Sequence, residues 1–268
     1  MPLSTPPRAT HRTPACLVRN AVAIVATALL LAACAHRDTR DHADARWRNA
    51  RQLVLVTSAD WDAANGTLRT YTRTRGGWQI DGEATPVSLG HSGAAWGLGL
   101  HPDQTDAPVK REGDKRAPAG VFAIGPAFGY ARSQATALPY AQMQASSWCV
   151  DVVDSPLYNR IVDSKDVGDA AVAGSTEPMR RDLQADGDEL YRMGFVIEHN
   201  AQGRKGAGSC IFAHLWRAPG TATAGCTAMA PPAMERLYGW LRPEAHPVFV
   251  LLPQAEYQQL KSAWNLPL

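Results

Sequence analysis

The sequence has little surplus charge, few aromatic residues and few cysteines. Its 268 residues carry 27 Lys and Arg against 25 Asp and Glu, a formal net charge of +2, so no charge imbalance favours nucleic-acid binding. Five cysteines are too few for a small domain held together mainly by disulfides. With 45% hydrophobic and 19% charged residues, the composition excludes a disordered or collagen-like chain and predicts a globular protein.

The N-terminal region is basic and then apolar. Residues 1–20 contain three arginines and no acid, and the apolar run from Ala21 ends by Ala35, short of the ~20 residues that a membrane-spanning helix requires. Leu-Ala-Ala directly precedes Cys34. This order resembles a bacterial lipoprotein signal. The resemblance implies a signal peptide over residues 1–33, lipidation of Cys34 and export to the periplasmic face of a membrane, with the outer membrane favoured. A plain signal peptide or an uncleaved anchor is the alternative.

The remainder of the chain predicts one mainly-β domain. Residues 34–50 are polar and are expected to form a tether, followed by a domain over 51–268. Strand-like runs follow one another with few helix signals, and Asn65-Gly66 is a dipeptide typical of hairpin turns. A helix is expected from Pro231 to about Leu241, and a second one over 254–263. The expected strands are Gln52–Thr57, Thr67–Arg73, Trp78–Ile80, Gly120–Ile124, Gly194–His199, Cys210–Trp216 and Pro247–Leu252.

The cysteine count points to one free thiol. If the mature chain begins at Cys34, the unmodified cysteines are Cys149, Cys210 and Cys226, and an odd number leaves at least one unpaired in an oxidising compartment. A disulfide between Cys149 and Cys210 is one of the pairings that the sequence leaves open. An unpaired thiol outside the cytoplasm is a candidate for chemistry.

The segment Gly208–Met229 contains the most informative constellation. A predicted strand carries His214, and Cys226 follows Gly225 twelve residues later. A cysteine nucleophile requires a base, and a nearby imidazole can accept its proton. Backbone N–H groups from Gly225 to Thr227 are candidates for holding the oxyanion of a tetrahedral intermediate.

This segment resembles the catalytic signature of the YkuD-type L,D-transpeptidases, which are cysteine acyltransferases of bacterial peptidoglycan. Thr223, Gly225 and Cys226 match the signature, whereas Ala224 stands where a second histidine is usual, and an arginine often found soon after the cysteine is missing. The sequence is similar to a divergent branch that reads T-A-G-C. Further similar segments are residues 91–100 (HSGAAWGLGL), 109–122 (VKREGDKRAPAGVF) and 148–159 (WCVDVVDSPLYN).

The resemblance implies a fold and a reaction. The fold would be a catalytic domain with sandwich-like mixed sheets and one or two helices near the C-terminus. Cys226 would form a thioester with a peptidoglycan stem tetrapeptide, release D-alanine and pass the acyl group to an amine, with His214 as the base. No metal or cofactor is implied. The alternatives are hydrolysis of stem peptides on the same scaffold and a non-catalytic lipoprotein that binds the cell wall.

Other residues have both a functional and a structural interpretation. Trp216, Arg217 and Thr223 are candidate substrate contacts, although a core Trp and a surface Arg are equally plausible. A zinc site using Cys210 and His214, with Cys226 or His199 as further ligands, is disfavoured because no paired metal-ligand motif accompanies them. The alternative bases are His91, His101, His199 and His246, of which His199 is expected to be structural. Two clusters of polar residues lie in segments that resemble the family. The cluster Asp151, Asp154, Ser155, Tyr158 and Asn159 is also typical of a hydrogen-bonded turn. The cluster Glu112, Asp114 and Lys115 is also typical of a solvated loop.

Overall fold

The computed structural model describes residue 1, residues 46–185 and residues 187–268. The proposed signal peptide and Cys34 lie outside these residues. The described residues from 46 onward belong to one compact unit. Trp47 and Ala50 are buried in its core, so the folded domain includes residues before 51, and most of the tether expected over 34–50 lies outside the described residues.

The described part of the chain forms fourteen strands and five short α-helices. The strands are β1 (Gln52–Ser58), β2 (Asn65–Thr74), β3 (Gly77–Ile80), β4 (Thr85–Ser88), β5 (Ala94–Trp96), β6 (Ala117–Gly129), β7 (Tyr140–Gln142), β8 (Ser147–Cys149), β9 (Ile161–Asp163), β10 (Glu177–Pro178), β11 (Met193–Ile197), β12 (Phe212–Leu215), β13 (Thr227–Met229) and β14 (Val248–Pro253). The α-helices are α1 (Ser164–Val167), α2 (Asp169–Val172), α3 (Arg181–Gln184), α4 (Pro231–Trp240) and α5 (Gln254–Leu260), and single 3-10 turns occupy Leu190–Arg192 and Pro243–Ala245.

Eight strands form a closed sheet in the order β1-β14-β6-β11-β12-β13-β4-β2, and β2 pairs back to β1. Two pairs in this ring, β1 with β14 and β12 with β13, are parallel, and the other pairs are antiparallel. The mainly-β expectation is confirmed. The sheet closes on itself, however, where two sandwich-like sheets were expected, and closure leaves these eight strands without free edges.

The apolar strands explain the core of the closed sheet. All six residues of β14 are buried, as are six of the seven in β1, and such continuous apolar runs are typical of strands covered on both faces. The interior contains Val54, Phe122 and Phe249 among a single large cluster of buried side chains. Helix α4 packs Met234 and other apolar residues into that cluster.

A second, smaller sheet forms from β10, β8 and β9. Its neighbourhood contributes Met143, Cys149 and Met179 to a separate buried cluster, in which they meet Phe128 and Phe212 of the closed sheet. Side chains alternate along β12: Ala213 and Leu215 belong to the interior core, whereas Phe212 belongs to the second cluster. The small sheet therefore covers the outer face of β12.

Several local predictions differ from the structure. Asn65-Gly66 lies inside β2 rather than in a turn, because Gly66 comes close to β1: a Cβ there would lie 2.8 Å from the Thr57 carbonyl oxygen. Helix α4 matches its prediction, and α5 is slightly shorter than predicted. The sequence does not predict α1, α2 or α3, which are single turns of four residues. In the described ranges, none of the helices has the length and apolar character needed to cross a membrane.

Candidate active site

The parallel pairing of β12 and β13 brings Cys226 and His214 to the same face. Parallel neighbours need a long connection, and residues 216–226 carry the chain from the end of β12 back to the start of β13. The register pairs Ala213 with Thr227 and His214 with Ala228, so Cys226 lies opposite Phe212. Cys226 and His214 are then diagonal neighbours, roughly 8 Å apart at Cα from standard strand spacings, and both line one cavity of about 420 Å³.

The Cys226 thiol is held at the floor of this cavity by two backbone groups. The Phe212 N–H donates to Sγ at 3.3 Å, and the thiol donates to the Cys210 carbonyl at 3.5 Å. Cys226 is 7% exposed. Among the described cysteines it is the free one, which agrees with the expectation that at least one of Cys149, Cys210 and Cys226 is unpaired.

The loop before Cys226 is fixed by Thr223. Its hydroxyl donates to the Cys226 carbonyl at 2.7 Å and accepts from the Gly225 N–H at 3.1 Å. Its backbone is bonded to Leu89 and His91. Glycine is required at 225 because φ is +152° and a Cβ would lie 3.0 Å from the Arg116 carbonyl oxygen.

These contacts change the expected oxyanion donors. The Gly225 N–H already has a partner in Thr223, and Thr227 lies within β13. By contrast, the N–H groups of Ala224 and Cys226 make no hydrogen bond to any residue that the structure describes. The Cys226 N–H is therefore a better candidate than Gly225 or Thr227 for holding a developing oxyanion.

The imidazole of His214 has one bonded and one unbonded nitrogen. Nδ1 lies 2.7 Å from the Leu215 carbonyl oxygen, so Nδ1 carries the proton and Nε2 carries a lone pair. Nε2 makes no hydrogen bond to the described residues. The ring packs edge-on against Tyr191, with centroids 5.2 Å apart. Leu215 thus orients the base, a role that the sequence leaves unassigned.

Burial keeps both reacting groups neutral at rest. It lowers the pKa of His214 to about 4, against the opposing effect of the Leu215 hydrogen bond. It raises the pKa of the Cys226 thiol to about 12, and the nearby Glu177 carboxylate adds to that increase. A neutral thiol and a neutral imidazole are therefore the resting state, and the arrangement suits removal of the thiol proton during attack.

Glu177, Arg181 and Tyr191, which no sequence motif marks, line the cavity beside the predicted contact Arg217. Arg181 donates to Asp188 through Nε at 2.8 Å and Nη2 at 2.9 Å, and to Glu177 through Nη1 at 3.3 Å. Tyr191 donates its hydroxyl to Glu177 at 2.7 Å. Arg217 reaches the same Asp188 at 2.7 Å. No motif marks these residues, because segment 177–191 is brought to the site by the second sheet.

The disulfide left open by the sequence joins Cys149 to Cys210. It links β8 of the small sheet to the segment before β12. In that segment the Cys210 carbonyl accepts a hydrogen bond from the Cys226 thiol. Cys210 also has a φ of +56°, and its N–H donates to Asn159 at 2.8 Å. The disulfide removes Cys210 as a thiolate ligand, so the zinc alternative loses one of its proposed ligands.

The candidate substrate contacts line the cavity, whereas the alternative bases do not. Trp216, Arg217, Thr223, Glu112, Lys115 and Asp151 line the cavity. His199 and His101 are buried elsewhere: His199 has both ring nitrogens bonded, and His101 stacks on Trp264. The side chains of His91 and His246 are exposed. None of these four histidines lines the cavity.

Most residues of the two polar clusters, 151–159 and 112–115, make hydrogen bonds or ion pairs that hold the local chain in place. Asp154 makes an exposed ion pair with Lys205, and Ser155 caps its own turn. Asn159 bonds the backbone of Cys210 and donates to the His199 and Asn200 carbonyls. The remaining members bond locally or line the cavity: Tyr158 and Ser209 donate to Glu112, Lys110 pairs with Asp114, and Asp151 accepts from Thr176.

Comparisons with known proteins give little. No family model and no curated protein matches the chain. A solved structure, that of Bd1075 from Bdellovibrio bacteriovorus, is similar at 12% identity with a TM-score of 0.35, and the alignment covers 80% of this chain and 54% of that one. The chain therefore spans about half the length of that protein, and the similarity is too low to carry an argument about fold or function.

Proposed function

We propose that this protein is a cysteine acyltransferase of the L,D-transpeptidase type, acting on peptidoglycan stem peptides. The observation that carries the proposal is the pairing of the free Cys226 thiol with a His214 ring whose Nε2 is unbonded, in one cavity. The T-A-G-C segment and its resemblance to the YkuD-type signature supply the substrate class. On this proposal the protein is exported and lipid-anchored through Cys34.

The reaction follows from the two neutral groups. Cys226 Sγ attacks the carbonyl carbon of the third residue of a stem tetrapeptide, and Nε2 of His214 takes the thiol proton. The Cys226 N–H donates to the resulting oxyanion. When the intermediate collapses, the bond to the terminal D-alanine breaks, and His214 returns the proton to the leaving amine. A thioester on Cys226 remains.

The second half-reaction regenerates the thiol. An acceptor amine attacks the thioester carbonyl, gives its proton to His214 and forms a new amide, while the sulfur leaves and recovers a proton. With water as the acceptor, the same residues give hydrolysis. The residues around Cys226 serve both outcomes, so the acceptor decides between transfer and hydrolysis.

The test measures D-alanine release from a disaccharide tetrapeptide by the detergent-solubilised full chain. We expect Cys226→Ala to abolish release and Thr221→Ala, an exposed change at the cavity rim, to retain it. Thermal denaturation confirms that both variants fold. Release by Cys226→Ala at the unmodified rate would overturn the proposal. Mass analysis with and without an added amine separates transfer from hydrolysis.

A further inference from the structure

The cavity is lined by four cationic side chains: Lys110, Lys115, Arg181 and Arg217. Lys110 and Arg181 already use their donors on protein partners, and Lys115 is not held in one position. Lys110 is buried and bonded to Asp114 and to the Arg111 carbonyl. Arg181 uses Nε, Nη1 and Nη2 on Glu177 and Asp188. Lys115 is exposed, and no partner among the described residues fixes its ammonium group.

Arg217 differs from these three because it is both fixed and available. Its Nη2 donates to Asp188 at 2.7 Å, and its side chain is 53% exposed. Nε and Nη1 make no hydrogen bonds to the described part of the chain. Asp188 is itself held in place by Arg181 and is only 10% exposed, so it anchors one end of the Arg217 guanidinium and leaves the other donors free.

Arg217 also lines the same cavity as the reacting groups. It follows His214 by three residues, just beyond the end of β12. It is near enough to His214 to contribute to lowering the pKa of that imidazole. A peptide with one residue beyond the scissile carbonyl, which spans ~3.8 Å between Cα atoms, would carry its C-terminal carboxylate within this cavity.

We propose that Arg217 binds the free C-terminal carboxylate of the donor peptide, so that the site accepts peptides with a single residue beyond the scissile carbonyl. This inference rests on the proposed function and assigns the residue that recognises the end of that substrate. A guanidinium is planar and matches a carboxylate with paired donors. Asp188 acts as the positioning residue that presents the guanidinium to the cavity.

The proposal predicts discrimination between a tetrapeptide acid and the same tetrapeptide with a C-terminal amide. The amide has no negative charge, so it loses the charge-assisted hydrogen bonds, and we expect kcat/KM to fall about 10- to 100-fold. Arg217→Gln should reduce that ratio towards one by slowing the acid and leaving the amide unchanged. Arg217→Lys should retain part of the ratio.

Two further variants control the experiment. Arg132→Gln removes an exposed arginine outside the cavity and should leave the acid-to-amide ratio unchanged. Lys115→Gln removes the competing cation and should also leave it unchanged. Thermal denaturation of each variant confirms folding, which is expected because Arg217 is an exposed side chain with one ion pair.

The outcomes separate this inference from the proposed function. If the unmodified protein cleaves acid and amide equally while Cys226→Ala is inactive, the inference is wrong and the acyltransferase proposal stands. If Lys115→Gln rather than Arg217→Gln removes the discrimination, the carboxylate belongs to Lys115 and the inference is again wrong. If the unmodified protein cleaves neither peptide, both proposals are overturned.

Discussion

His199 and His214 are two buried histidines with similar surroundings and different bonding. They are 1% and 4% exposed, and burial lowers the pKa of each to about 4. His199 accepts from the Leu98 N–H at 3.1 Å through Nδ1 and donates from Nε2 to the Ala207 carbonyl at 2.9 Å. His214 bonds only through Nδ1.

The difference shows what identifies a candidate base in this molecule. Burial and a lowered pKa are common to both rings, so neither property separates structure from chemistry. A nitrogen with a lone pair facing a cavity that also contains a thiol is found at His214 and not at His199. Because both ring nitrogens of His199 are hydrogen-bonded, its role is structural. Because Nε2 of His214 is not bonded, that ring is available for proton transfer.

The largest effect is expected from His214→Gln. This change removes the proton acceptor, and loss of general base catalysis typically lowers kcat by about 10²- to 10⁴-fold. The free energy of unfolding should fall less than for a fully bonded buried histidine, by about 1–3 kcal/mol, since one buried group, the Leu215 carbonyl, loses its partner. Steady-state D-alanine release and urea unfolding measure the two effects. A variant that unfolds readily yet keeps its rate would reverse the assignment.

His199→Gln should show the opposite pattern. Leu98 N–H and the Ala207 carbonyl lose well-placed partners, and each unsatisfied buried group costs about 1–3 kcal/mol. We expect the free energy of unfolding to fall by about 2–4 kcal/mol while kcat of the folded protein stays within a few-fold of the unmodified value. A loss of kcat equal to that of His214→Gln would contradict the comparison.

Both rings also give the free energy of unfolding a pH dependence. Each folded pKa of about 4 lies below the unfolded value of about 6.5, so the unfolded chain binds protons first as the pH falls. Stability from these rings is complete above pH 6.5 and is lost towards pH 4, by up to about 1.4 kcal/mol per pH unit for each ring.

Urea unfolding between pH 7 and pH 4.5 measures this slope in three proteins. His199→Gln and His214→Gln should each flatten the slope by the contribution of one proton relative to the unmodified chain. Glutamine does not titrate in this range, so the difference between proteins isolates each ring. Equal slopes in all three proteins would show that neither imidazole has a lowered folded pKa.

The sequence predicts the reacting pair better than its surroundings. His214 and Cys226 are recognised because a strand, a returning loop and a Gly-Cys dipeptide lie within one short segment, and the structure brings both into one cavity. The hydrogen bonds of His199 agree with its expected structural role. The mainly-β class and helix α4 also follow from local patterns.

The wall of the cavity and the closure of the sheet do not follow from local patterns. Glu177, Arg181 and Tyr191 line the cavity, and Asp188 bonds Arg181 beside it, only because the small sheet covers the outer face of β12, which is a long-range packing result. Asn65-Gly66 begins β2 instead of forming a turn for a related reason: the glycine permits a close approach to β1. Side-chain patterns do not reveal which strands close a ring.

The most direct test of an acylable cysteine is the intact mass of the full chain after incubation with a carbapenem. We predict one covalent adduct in the unmodified protein, located on Cys226 by peptide mapping and absent from Cys226→Ala. We also predict that His214→Gln forms it more slowly, whereas His199→Gln forms it at the unmodified rate. An adduct that persists in Cys226→Ala, or no adduct in the unmodified protein, would contradict the assignment of Cys226 as the nucleophile.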